Sequence, residues 1–336
     1  MFLRVSKSIP VLLLFLALPA CRLIDEDLAD CDRDLSMDYE LRLATNITTQ
    51  LETELSLETE VSVATSLKSY LNDVFTDRAH DVNLSFYDVV GDSTRLHHEQ
   101  HIMNANQTSY TLNIPVHRYM HLGLANLEEN AGILSLENDG TCHGSRLQQL
   151  QADTLPPHRQ GVFSARLSMD VKEGIDQEFK VNLFMANCSA VLLLDTLGSH
   201  VKDIRVFASG FATAFDVADS LFRFQYPQII RADKVEVKEP GSPLCFTTVN
   251  FPSRMPETTK AEEDEPALWE FRVYATLPGG SVTESILSVS EPLLAAHLEI
   301  LKAKVDSSGA LETDNKTVGV SVTLDWTPGM EHEVIL

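Results

Sequence analysis

The sequence predicts a mainly β protein, built as antiparallel β-sandwich domains with one helix in the first. Apolar and polar residues alternate from Leu35 onward, and clusters of Gly, Asn, Asp and Pro recur between the alternating runs. At 336 residues, of which 44% are hydrophobic, the chain has the length and the apolar content for two cores. No period of 20–50 residues marks a solenoid. Beyond the N-terminus no stretch approaches the 18 apolar residues a membrane helix needs.

Residues 1–20 read as a signal peptide. Arg4 and Lys7 form a cationic start, and Val11 to Leu18 is an apolar run of eight, too short to span a bilayer. It closes on Leu18-Pro19-Ala20-Cys21, which resembles a bacterial lipobox and makes Cys21 the expected site of lipidation. Lipid on this cysteine gives stable anchoring once more than one acyl chain is attached. Residues 21–34 follow as an acidic tether, with six acidic side chains among the ten residues from 25 to 34. Such a run just after a lipidated cysteine resembles the surface-export signals of Bacteroidia lipoproteins, and places the protein on the outer membrane, facing outward.

The first domain is expected over 35–174. Leu35, Met37, Tyr39, Leu41 and Leu43 share one face of an opening strand. Leu57, Val61, Ala64, Leu67, Leu71 and Val74 then recur at spacings of three and four, predicting a helix near 50–75. Strands follow at 82–87, 110–114, 119–124 and 162–169. The second domain, 175–336, opens with an alternating strand at 179–185. Ala190 to Leu194 comes next, an apolar run that reads as a strand covered on both faces. Further strands are expected at 204–207, 221–224, 234–238, 246–249, 269–276 and 318–326. The stretch 290–305 is ambiguous between a helix capped by Ser290-Glu291-Pro292 and a strand from His297. The acidic segment 260–266 reads as an exposed loop.

Chemistry is sparse. The formal net charge of −23 argues against a nucleic-acid partner, which needs a cationic surface. Neither a nucleophile elbow nor a phosphate loop nor a dinucleotide fingerprint occurs, so no enzyme, cofactor or catalytic residue is expected. In His97-His98-Glu99-Gln100-His101 the two outer histidines are four apart, as in a zinc helix, but His98 stands where that helix needs Glu. Asn104, Asn106 and Thr108 make the region an exposed polar loop instead, and no metal site is expected. His117 and His121 share one face of a strand and read as surface or edge residues. With Cys21 set aside, Cys31, Cys142, Cys188 and Cys245 allow three pairings, of which Cys31–Cys142 with Cys188–Cys245 is the simplest.

Taken in order, these features resemble a known family. The lipobox, the segment Asp25 to Cys31, Phe75-Thr76-Asp77 followed by Val82 to Asp88, and the closing Val320 to Trp326 with Thr327-Pro328-Gly329 are similar to FimB-type fimbrial anchor lipoproteins of type V fimbriae. The resemblance implies two transthyretin-like domains in tandem. It also implies a role at the base of a fimbrium, where the lipid holds the fibre and the subunit limits its length. The implied partners are fimbrial shaft or minor subunits, joined by strand addition: a donor strand satisfies the unpaired N–H and C=O groups of an open edge. The competing reading is a surface adhesin that binds glycan or host protein on the same fold.

Overall fold

The computed structural model describes residues 36–43, 61–76, 79–90, 93–103, 109–197, 200–256, 267–315 and 318–326. The signal peptide 1–20, Cys21, the tether 21–34 with Cys31, the first part of the expected helix (50–60) and the acidic loop 260–266 lie outside the described residues.

Alternation becomes strands through most of the chain. The first half holds β1 (Ser36–Leu43), α1 (Val61–Leu71), β2 (Asp81–Asp88), β3 (Arg95–Ile102), β4 (Ser109–Asn113), β5 (Arg118–Ala125), β6 (Leu134–Glu137), β7 (Arg146–Gln149), β8 (Phe163–Asp170) and β9 (Gln177–Met185). The second holds β10 (Cys188–Asp195), β11 (Asp203–Ser209), β12 (Ala214–Asp216), β13 (Leu221–Arg223), β14 (Ile230–Arg231), β15 (Asp233–Val235) and β16 (Leu244–Asn250). It ends with β17 (Trp269–Thr276), β18 (Val282–Val289), β19 (Leu298–Val305), β20 (Leu311–Glu312) and β21 (Val318–Trp326).

Four sheets result. The first has seven strands in the order β3-β2-β5-β8-β9-β1-β4. The second runs β15-β16-β10-β19-β20 and the third β14-β11-β17-β18-β21. The fourth, β13-β12-β7-β6, takes two strands from each half of the chain. The expected domain change at 174/175 precedes the change of sheet, because β9 still pairs with β8 and β1. The chain passes to the second sheet at Ala186-Asn187. There the buried Asn187 side chain accepts the Val162 N–H, and its carbonyl accepts the Ala296 N–H at 2.6 Å.

Burial explains the layering. Val191 and Leu193 of β10 join α1 and the inner face of the first sheet in one core, with Val82, Leu84, Phe86, Phe163 and Val181. The alternate residues Ala190, Leu192 and Leu194 face a second core closed by Val206, Trp269, Phe271 and Leu287 of the third sheet. The doubly covered strand read from the sequence is therefore the middle of the molecule. A third core lies under the fourth sheet, where Leu147 and Phe215 meet Tyr87, Leu122 and Leu124 on the outer face of the first.

The helix differs from its expected face. Val63, Leu67 and Leu71 are buried, while Val61 is 84% exposed. At about 100° per residue Val63 and Leu71 each lie about 40° from Leu67, whereas Val61 lies about 120° away. Lys68 in the last turn suits the negative end of the helix dipole. The chain beyond the helix presses on Gly161, where a Cβ would stand 2.0 Å from the Val74 carbonyl oxygen; only glycine fits.

Among the strands that the sequence did not offer as such, two are eight residues long. The 97–101 segment is not a loop but part of β3, paired along β2. β18 carries no apolar stripe because its buried face is Thr283, Ser285, Leu287 and Val289. Its hydroxyls are satisfied locally: Thr283 Oγ1 donates to the Ser308 carbonyl at 2.7 Å, and Ser285 Oγ accepts the Leu311 N–H at 3.2 Å. Of the two readings of 290–305, the strand forms, as β19.

Candidate functional site

Cys188 and Cys245 do not form the expected pair, and the other expected pair includes Cys31, which lies outside the described residues. Cys142, Cys188 and Cys245 are all buried free thiols. Cys188 lies opposite Asn250 and Cys245 opposite Leu193 on the β10–β16 ladder. Five positions separate them, about 17 Å at 3.4 Å per residue, far beyond the roughly 7 Å a disulfide can bridge. They also face different cores, Cys188 the second and Cys245 the first. Burial pushes the Cys245 thiol up to about 12 and raises that of Cys188 further, so neither is a nucleophile.

The histidine cluster is an edge device. His97, Glu99 and His101 alternate along β3 and share the face that β2 turns to the core. The Glu99 carboxylate spans the two imidazoles, 2.5 Å to His97 Nε2 and 2.6 Å to His101 Nε2. Partial burial would raise the Glu99 carboxyl, but the two imidazole hydrogen bonds outweigh it and hold it below the usual range. His98 points the other way and lies 3.0 Å from Ser85 Oγ. Both carboxylate oxygens are thus engaged within the cluster.

His117 is half-buried beside Asp88 Oδ1, at 2.9 Å. His121 is not at the surface: it is wholly buried in β5, its ring stacked on Phe86 at 4.5 Å. The reason is position, since β5 lies between β2 and β8 with a core on each side. Burial lowers its imidazole to about 3 despite a hydrogen bond to the Ser85 carbonyl. His158, also buried, is lowered to about 3 by the same cause.

Among the described residues the four sheets have eight end strands, which differ in length and regularity. Six are short, from the two residues of β14 and β20 to the five of β4. β3 is eight residues long but blunted. A bulge breaks its register where Phe86 and Tyr87 oppose His97 and Arg95, and the Glu99 carboxylate turns inward. β21 is nine residues long and pairs with β18 alone among the described residues. From Val318 to Thr323 it runs in unbroken register against Val289 to Glu284, and the register then shifts before Trp326 meets Val282. That leaves about 20 Å of regular strand edge, at 3.4 Å per residue, with half its backbone N–H and C=O groups directed outward.

No family model matches the sequence, and no curated protein does. Solved structures do match. A candidate adhesin from Bacteroides ovatus aligns over 89% of this chain and 97% of its own, with a TM-score of 0.54 at 10% identity. The fold is shared. A candidate polysaccharide-binding protein from Bacteroides thetaiotaomicron aligns over 85% of this chain and 98% of its own, with a TM-score of 0.50 at 10% identity. The fimbrial anchor protein Mfa2 from Porphyromonas gingivalis is more distant, with a TM-score of 0.43 at 10% identity over 73% of this chain and 79% of its own. It adds nothing to the fold assignment.

Proposed function

We propose that the protein is a surface-assembly subunit of the fimbrial anchor type, moored to the outer membrane by lipid on Cys21 and joined to fimbrial subunits by strand addition. The observation that carries this reading is the outer edge of β21. Strand addition needs a long edge with unpaired backbone groups, and β21 is the longest of the end strands, paired with β18 alone among the described residues. The sequence resemblance to FimB-type anchors supplies the class of partner, and the acidic tether between lipid and first strand supplies the mooring.

The test reads the edge directly. Adjacent residues in a strand aim their N–H groups at opposite sides, so Val320→Pro and Ser321→Pro remove one inward and one outward donor between them. Whichever variant stays folded is expected to lose co-purification of fimbrial subunits from a cell-surface fraction. Undiminished co-purification would overturn the reading. Cys21→Ser should release the protein from the membrane fraction, and gene deletion should shed long fibres into the medium.

The adhesin reading has one feature in its favour, a cleft of about 590 Å³ between α1 and the second sheet. Among the described residues its lining, which includes Lys302, Lys304 and Glu312, holds no aromatic ring on which a sugar could stack. The assembly reading is the stronger.

A further inference from the structure

The sequence reading expects no metal, and in the His97–Glu99–His101 cluster the donors are engaged with one another. A second cluster, assembled from distant parts of the sequence, is built differently. His80 precedes β2, Asp81 is its first residue, and Glu128 opens a 3-10 turn (Glu128–Asn130) after β5. One donor atom from each lies within 4.8 Å of the other two.

The central ligand is held in advance. Asp81 is 1% exposed, and its Oδ2 accepts the Leu127 N–H at 2.9 Å and the Glu128 N–H at 3.3 Å. Oδ1 is equally buried but has no hydrogen-bond partner. A carboxylate oxygen out of water and unpaired is costly, and a cation is the partner it lacks. The frame around it is rigid. Asn126, buried at a left-handed φ of 63°, accepts the His80 N–H at 2.7 Å and donates to the Gly161 carbonyl at 2.9 Å. Asn130 donates to the Asn126 carbonyl at 3.0 Å and to the Gln160 carbonyl at 2.9 Å.

We infer that His80, Asp81 and Glu128 form a binding site for a zinc-type divalent cation. One imidazole nitrogen with two carboxylates is a zinc-type donor set, whereas calcium takes oxygen alone. Donors around tetrahedral zinc stand about 3.4 Å apart at metal–ligand distances near 2.1 Å. Closure therefore asks about 1 Å of movement from the exposed His80 and Glu128 side chains, while Asp81 stays fixed. The ion would pin the start of β2 to the turn after β5 and keep a coordination position open to solvent.

The test uses the purified mature chain, stripped of metal by chelator and titrated with ZnCl2 by calorimetry, with bound metal counted by elemental analysis. One zinc per chain is expected, together with a rise in Tm. His80→Ala and Glu128→Gln, both at exposed side chains that leave the fold intact, should each weaken binding more than about tenfold. His97→Ala with His101→Ala should leave the affinity unchanged. The inference is overturned if zinc does not bind stoichiometrically, if CaCl2 binds as tightly, or if affinity follows the 97/101 pair and not His80 and Glu128.

Discussion

β1 and β10 occupy the same address in different sheets. Each sits between an antiparallel neighbour and a parallel one: β1 between β4 and β9, β10 between β16 and β19. These are the two parallel strand pairs among the described residues. A single topology is thus used twice, yet the sequence shows no repeat. Pairing through the backbone constrains alternation and length, not residue identity. The surroundings differ. β10 is held by seven pairs on each side and is buried along both faces, with only Asp195 at its end half-exposed. β1 makes seven pairs with β9 but five with β4, which ends the sheet. One address, then, serves as the structural middle in the second sheet and as a near-edge position in the first.

The largest effect that would break this comparison is a charge in β10. Leu192→Asp places a carboxylate in a core with no partner and should abolish recovery of folded protein. Deleting residues 36–43 should instead leave a folded chain whose β9 edge is bare. That chain should self-associate in sedimentation, and a synthetic peptide of residues 36–43 should reverse it. Recovery of a stable Leu192→Asp variant would show the two positions to be equivalent after all.

Acid should separate the regions next. His121 and His158 titrate near pH 6.5 when unfolded but near 3 when buried. Between those values the unfolded state binds more protons, so stability is full above about pH 6.5 and falls as pH drops below it. The expected loss from pH 7 to pH 5 is about 2 kcal/mol for each histidine, read from urea midpoints. His121→Phe should remove about half of that slope. Asp216 contributes nothing in this window. Burial works against its charge, but the Arg146 and Arg223 hydrogen bonds, each 2.5 Å, hold the carboxyl below the usual range. Its contribution is lost only as pH falls through that lowered value.

A smaller effect sharpens the point. Asp216→Asn weakens a bridge between β7 from one half and β12–β13 from the other, and should cost about 1–3 kcal/mol. Both halves should lose stability together, as judged by hydrogen exchange. The smallest effect concerns the helix: Val61→Lys should change stability by less than about 0.5 kcal/mol, whereas Val63→Lys should cost several times more. Thermal unfolding of the pair decides whether α1 presents the face described.

Much of the fold was legible because alternation over five or more residues is a strong signal. β17 falls on its expected span, 269–276, and β10 was readable as doubly covered from five apolar residues in a row. β18 escaped because serine and threonine occupy its buried face, and β3 because histidines and charges occupy its inward one. The four-residue β6 and β7 and the three-residue β12 form only through each other, across gaps no local pattern reports. The expected Cys188–Cys245 pair is absent for a related reason. Counting cysteines says nothing about which side of a sheet each faces. The His80–Asp81–Glu128 cluster spans 48 positions of sequence, and only the pairing of β2 with β5 brings its members together. An adjacent His-Asp pair just before a strand was the one local hint.

The parallel alignment of β1 and β9 also has a mechanical consequence. Tension entering the described chain at Ser36 runs along the strand axis, so the backbone bonds of β1 to both neighbours are loaded in shear and must give way collectively, not one after another. In the proposed anchor role, a lengthwise pull would be borne at the leading strand by some twelve residue pairs at once, and the lifetime of the attachment would be set by an unfolding rate and not by an equilibrium constant.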